Sequence, residues 1–376
     1  MKILILHNQL WSQYKSFIYQ GIYDKIKDSN DELLVLQTSI CEKSRFDIKD
    51  FDQEKYPYTY PYKLLNYDYL ENANKIITTL KWLKFILKFQ PNVINLTGYH
   101  EIGTLPVLIL AKLLNIRTIM TNESIYSSVL HDSSLKYFIK KVYKRFVFLL
   151  TDGFFSYGIN SNDYLFRHGV HKNKILLFLN SFDKTKFLNE NSNDSKQINN
   201  NIIFVGRLSP EKNLSSLISL FRYFKADQLD YKLILVGDGP LKENLQKEIL
   251  KYDLNIDIIG SILWNDLSEL YKNSLCLILP SINETWGMVA NEAIQMGVKV
   301  ICSASCGCSN DLVINKYSGL VLNNFNFSKN DVTYTNILDF LNNHVSTNST
   351  FLKNNASVFD SDRLVNESLY HFLDIK

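Results

Sequence analysis

Several things are scarce in this 376-residue chain, and each scarcity excludes something. The apolar run at the amino terminus, Ile3-Leu4-Ile5-Leu6, stops at His7. That is too short for a signal-peptide core or a membrane span, so we expect a first buried strand in a cytoplasmic protein. There are five cysteines, an odd number; Cys302, Cys306 and Cys308 crowd together with no second Cys/His cluster to complete a zinc site. Reduced thiols follow. A dominant charge is missing too: the net charge is +3, and with no recognition module in view this speaks against nucleic acid. Gly237-x-Gly239 lacks the third glycine of a dinucleotide fingerprint. Asp50-Phe51-Asp52 has the spacing of a metal-binding Asp-x-Asp but follows a polar, charged segment rather than a buried strand. We expect no metal and no cofactor.

What is present is core material for two domains. The length exceeds one ordinary core, and 22 Tyr and 23 Phe supply large, rigid packing pieces. Residues 189–201, from Asn189 to Asn201, are almost wholly polar and bury too little to fold alone, so a linker is placed there. Short apolar runs at 3–6, 33–36, 93–96, 117–121 and 175–179 precede it. Others at 202–205, 233–236, 256–259, 275–279, 298–302 and 319–322 follow. Stretches with helical apolar spacing lie between them, among them 70–89, 102–115, 133–150, 213–226, 240–252, 265–273 and 285–296. This alternation predicts an α/β protein with two Rossmann-like, doubly wound domains facing a cleft. The first would span 1–188 and the second 202–358, with a final helix in 359–376 crossing back to the first. Charge divides the same way: residues 1–190 hold 25 Lys+Arg against 18 Asp+Glu, and 191–376 hold 16 against 20.

Parallel sheets bind ligands beyond the carboxyl ends of their strands, which directs attention to two loops. After Ile202-Ile203-Phe204-Val205 comes Gly206-Arg207-Leu208-Ser209-Pro210-Glu211-Lys212-Asn213. Here Ser209 is placed to cap a helix starting at Pro210. A helix amino terminus offers free N–H groups and partial positive charge, and Arg207 and Lys212 add two full charges; a diphosphate fits such a loop. Taken alone, the two side chains could equally be solvated surface charges.

The second loop, Ser281-Ile282-Asn283-Glu284-Thr285-Trp286-Gly287-Met288-Val289-Ala290-Asn291-Glu292, carries two carboxylates eight residues apart. If the intervening chain is helical they stand roughly 12 Å apart along its axis, beyond the ~5–9.5 Å of a paired-carboxylate hydrolase. They suit opposite ends of one elongated ligand, one carboxylate gripping ribose hydroxyls and the other a hexose. Gly287 would let the N–H groups of Met288 and Val289 approach a phosphate between them.

With Glu284-x7-Glu292, Val205-Gly-Arg-Leu-Ser-Pro-Glu-Lys-Asn213, Val236-Gly237-Asp238-Gly239-Pro240 and Leu177-Phe-Leu-Asn-Ser-Phe-Asp183 in one order, the chain resembles the retaining glycosyltransferases of family four, the group 1 type with the GT-B fold. The resemblance covers about residues 170–322. It implies a nucleotide diphosphate sugar as co-substrate, held by Arg207, Lys212, Gly237, Gly239, Gly287, Met288 and Val289. Glu292 would take the ribose and Glu284 the donor sugar. It implies front-face transfer of a hexose or N-acetylhexosamine to a glycan or lipid-linked acceptor, in surface polysaccharide or glycoconjugate assembly. Ser181 and Asp311 depart from the family's usual Gly and Glu, and no glycine-rich loop follows the first strand. Glu123 falls where many relatives place a histidine near the reacting sugar, which makes it an acceptor-side candidate beside His100.

Two basic, aromatic stretches, Lys81–Lys88 and Lys136–Leu150, read either as helices burying one face or as helices docking on an anionic membrane. Two other functions fit the same motifs: a catalytically silent nucleotide-sugar-binding scaffold, and a GT-B nucleotide-sugar epimerase.

Overall fold

The computed structural model describes residues 1–10, 13–43, 58–99, 101–125, 135–177, 180–181, 199–313, 317–327, 331–343, 352 and 359–373. His100, Asp50-Phe51-Asp52 and most of the polar segment 189–201 lie outside them.

The first sheet is built from β1 (Lys2–Gln9), β2 (Glu32–Ser39), β3 (Tyr62–Leu64), β4 (Val93–Leu96), β5 (Arg117–Asn122), β6 (Gly153–Ser156) and β7 (Ile175–Leu177). Its order is β3-β2-β1-β4-β5-β6-β7. The second is built from β8 (Asn201–Val205), β9 (Lys232–Val236), β10 (Ile256–Gly260), β11 (Cys276–Leu279), β12 (Lys299–Ser303) and β13 (Gly319–Leu322), in the order β10-β9-β8-β11-β12-β13. Every pairing is parallel. Both sheets therefore reverse direction beside their first strand, and in an open α/β sheet the crevice at that reversal is where ligands sit.

Period-two alternation sorts β1 into two layers. Ile3 and Ile5 face Ile18, Tyr19 and Ile22 of α1 (Gln13–Ile26), while Leu4 and Leu6 face the other side. There they join Trp82 and Ile86 of α2 (Lys75–Phe89), Val107 of α3 (Thr104–Leu113) and Val147 of α4 (Leu135–Leu150). The helix Ile159–Arg167, α5, follows β6. In the second domain α6 (Leu214–Ala226), α7 (Lys242–Tyr252), α8 (Trp264–Lys272), α9 (Met288–Gln295) and α10 (Val332–Asn343) flank the sheet.

The C-terminal helix Ser361–Leu373 leaves the second domain and packs on α1. A Cβ on Gly21 would lie 2.6 Å from Val365 Cγ2. Phe372 stacks edge-on to Phe155 with centroids 5.5 Å apart, and Arg117 donates to the His371 carbonyl at 2.8 Å.

Several boundaries shift from the sequence reading. Pro210–Lys212 forms a single 3-10 turn and α6 begins at Leu214, because Ser209 makes no cap hydrogen bond and gives its hydroxyl to Glu211 instead. Likewise α7 starts at Lys242 rather than Pro240, and α9 at Met288 rather than Thr285. The chain from Glu284 to Gly287 is thus a loop, and the helical measure used for the spacing of Glu284 and Glu292 applies to its second half alone.

Candidate functional site

The β8/β11 reversal brings the two motif loops together. Lys212, leaving the 3-10 turn, forms an ion pair with Glu284 of the loop after β11. Their side chains keep 18% and 17% of their surface, so both stay reachable while water is partly excluded, which strengthens their attraction. Ile282 N–H donates to the Glu211 carbonyl at 3.0 Å and Asn213 Nδ2 to that of Pro280 at 3.2 Å, which locks one loop onto the other. Arg207 stands exposed beside Glu211, whose carboxyl is drawn below its usual range by Ser209, Lys212 and Arg207 against an opposing burial effect.

Gly287 holds φ at +96° and opens α9, a left-handed turn that favours glycine. The Met288 and Val289 amides then head a helix, where N–H groups lack intrahelical partners. One turn on, Glu292 is buried and accepts from the Tyr271 hydroxyl at 3.4 Å. Lys212, Glu284, Met288, Val289 and Glu292 thus fall on one loop-and-helix edge of the second domain.

Gly237 and Gly239 have a packing reason of their own. A Cβ on Gly237 would stand 2.0 Å from the Gly206 carbonyl oxygen, and one on Gly239 2.5 Å from that of Leu208. Backbone bonds from Leu208 N–H to Asp238 O (2.9 Å) and Leu241 N–H to Leu208 O (3.0 Å) hold the two turns together. The glycines let the Arg207 loop lie flat against its neighbour.

In the first domain, Glu123 sits exposed at the end of β5, its carboxylate 2.8 Å from the ammonium of Lys15. Lys15 comes from α1, is 8% exposed, and also donates to the Tyr157 hydroxyl. Close by, His7 ends the buried part of β1 with Nδ1 2.8 Å from Gln37 Oε1 and 2.7 Å from the Gln9 carbonyl. Burial holds its imidazole at about 4, reinforced by Lys15 and opposed by the Gln37 bond; it is neutral at ordinary pH. Tyr157 lies far from His7 and Lys15 in the chain and meets them through strand order, so the three escape a local sequence reading.

Trp286 of the second motif is buried, its indole N–H on Asn291 Oδ1 at 2.7 Å, and Asn291 in turn donates to the Asn180 carbonyl at 3.3 Å. Asp311 accepts from Ile159 N–H at 2.9 Å across the domain boundary, and burial raises its carboxyl. All five cysteines are buried free thiols. Among the described residues no cluster of His, Cys, Asp or Glu is set to hold a metal ion, and no helix is long and apolar enough to cross a membrane.

Residues 183–330 match the family model described as glycosyl transferases group 1. The chain is 28% identical over 173 residues to an uncharacterised glycosyltransferase of Methanocaldococcus jannaschii, covering 46% of this chain and 45% of that one. It is 27% identical over 233 residues to the O-antigen chain mannosyltransferase RfbU of Salmonella typhimurium, covering 59% of each. The chain spans less than two thirds of the length of either relative. Among solved structures, Anabaena HepE in complex with UDP superposes over the whole of both chains with a TM-score of 0.75 at 16% identity. The fold is GT-B.

Proposed function

We propose that this chain is a retaining glycosyltransferase of family four that moves a hexose or N-acetylhexosamine from a nucleotide diphosphate sugar to a glycan or lipid-linked acceptor, without a metal. The observation that carries it is the Lys212–Glu284 pair at the mouth of the β8/β11 crevice, with the α9 amino terminus and buried Glu292 on the same edge. Arg207, Lys212 and the Met288 and Val289 amides would receive the diphosphate, Glu292 the ribose hydroxyls and Glu284 the sugar. The bond from the anomeric carbon to the diphosphate breaks and one to the acceptor oxygen forms on the same face. The departing diphosphate oxygen takes the acceptor's proton. Positioning and charge stabilisation of the leaving group supply the rate. The group 1 match and the likeness to an O-antigen chain mannosyltransferase support a place in surface glycan assembly.

The test is a proton NMR time course of the purified protein with donor and acceptor. A glycoside with the donor's anomeric configuration is expected. An inverted product overturns retention, and a donor epimerised without acceptor replaces transfer by epimerisation.

Peripheral contact with an anionic membrane at a cytoplasmic face is part of the proposal, and one observation favours it. Helices α2, α3 and α4 lie side by side and carry four, one and five Lys+Arg with no Asp or Glu. Their outer faces expose Leu80, Leu87, Leu113, Phe138, Phe146 and Leu149. Basic heads beside exposed apolar groups suit anionic lipid. Sedimentation should show stronger binding to anionic than to neutral vesicles, lost in Lys140→Glu/Lys141→Glu; equal binding to both sinks the idea.

A further inference from the structure

The loop that carries Glu284 does not hold its shape alone. It runs parallel to the turn at Cys306–Cys308, bridged at Glu284 and Cys306, with Gly307 N–H on the Glu284 carbonyl at 2.9 Å and Cys308 N–H on that of Trp286 at 3.0 Å. The two backbones are so close that a Cβ on Gly307 would lie 1.9 Å from the Thr285 carbonyl oxygen. Any group that grips the turn therefore grips Glu284.

The first domain supplies such a group. Asn160, at the start of α5, donates through Nδ2 to the carbonyls of Cys306 and Gly307 and to Ser309 Oγ, each at 3.2 Å, and accepts from Asn310 Nδ2 at 2.7 Å. Beside it α5 has Gly158 at its N-cap, which offers no side-chain acceptor. Asp311 of the second domain fills that role with Oδ2 on Ile159 N–H at 2.9 Å, where a carboxylate also meets the positive end of the helix dipole. Gly158 permits the approach: at φ +85° a Cβ there would stand 2.9 Å from the Trp286 ring.

We propose that Asn160 and Asp311 form an interdomain clamp that positions Glu284 when the two domains close. The inference rests on the transfer reading of Glu284. The contact is polar and local, of the kind that parts and remakes as domains move. Made, it transmits the position of the first domain to the carboxylate that faces the donor sugar. Neither residue touches substrate; both are positioning residues.

The experiment compares Asn160→Ala, Asp311→Ala and Asp311→Glu with the parent chain by nucleotide titration and by transfer kinetics, after thermal unfolding confirms native folding. Asn160→Ala and Asp311→Ala should lower kcat by roughly ten- to a hundredfold, with nucleotide affinity unchanged because Arg207, Lys212 and Glu292 are untouched. Asp311→Glu, which keeps the carboxylate, should recover most of the rate. Unchanged kcat in both variants, or nucleotide affinity falling in step with kcat, overturns the clamp. A parent chain that binds nucleotide but performs no transfer sinks the transfer reading instead, which keeps the two failures distinct. Should one variant fail to fold, the other decides.

Discussion

The two domains share a strand order around their reversal point, β2-β1-β4-β5 in the first and β9-β8-β11-β12 in the second, yet they write their chemistry differently. In the second domain each loop at the crevice is a contiguous motif, so that Arg207 and Lys212 come from one loop and Glu284, Met288 and Glu292 from the next. In the first, the corresponding cluster draws Lys15 from α1, Glu123 from the end of β5 and Tyr157 from the end of β6. A diphosphate asks for backbone N–H groups and adjacent cations, which short segments provide. In the proposed function, an acceptor would meet groups gathered from separate strand ends rather than from one contiguous motif.

Lys212 carries the largest expected effect. Lys212→Ala leaves the half-buried Glu284 without its cation, and transfer should fall by about 10²–10³-fold with nucleotide affinity falling as well; native rates would separate the pair from the chemistry. The next largest effect lies in the first domain and concerns stability. His7 is held at about 4 against an ordinary 6.5. A depressed folded value means the unfolded chain binds the proton first, so this stability is complete above about 6.5 and is lost as pH falls toward 4. Its size is on the order of 3 kcal/mol. Chemical denaturation across that window should show the loss in the parent and a flatter profile in His7→Gln; parallel profiles would remove the role of His7. Smallest is Lys15→Met, expected to lower transfer about tenfold, the scale of one misplaced acceptor contact, with nucleotide binding unaltered. Loss of nucleotide affinity in that variant would erase the division of labour between the domains.

This contrast also governs what the sequence made legible. The strands of the second domain are readable because each carries two or more adjacent Ile, Leu or Val residues, and its site is readable because it is local. In the first domain β3 is three residues long and β6, Gly153-Phe-Phe-Ser156, starts on a glycine. Neither contains the adjacent aliphatic residues that mark the other strands. Helix α1 is hard to read from the sequence because its buried face includes Lys15 and Ser16 among the apolar residues, so its pattern is mixed rather than amphipathic. The helix expected at Pro210 failed for a local reason, since Ser209 bonds Glu211 rather than the backbone. The Asn160–Cys306 and Ile159–Asp311 contacts join residues about 150 apart in the chain. No local rule reaches that far.

The proposed function places a nucleotide diphosphate in the second domain, held through Glu292 and its neighbours. Isothermal titration of the folded protein, without metal, against UDP, GDP, ADP and their hexose and N-acetylhexosamine conjugates tests it most directly when repeated on Glu292→Ala. One nucleotide is expected to bind, and to weaken roughly ten- to a hundredfold in the variant, the scale of one or two charge-assisted hydrogen bonds. Folded protein that binds none of them, or a variant that binds as tightly as the parent, would contradict it.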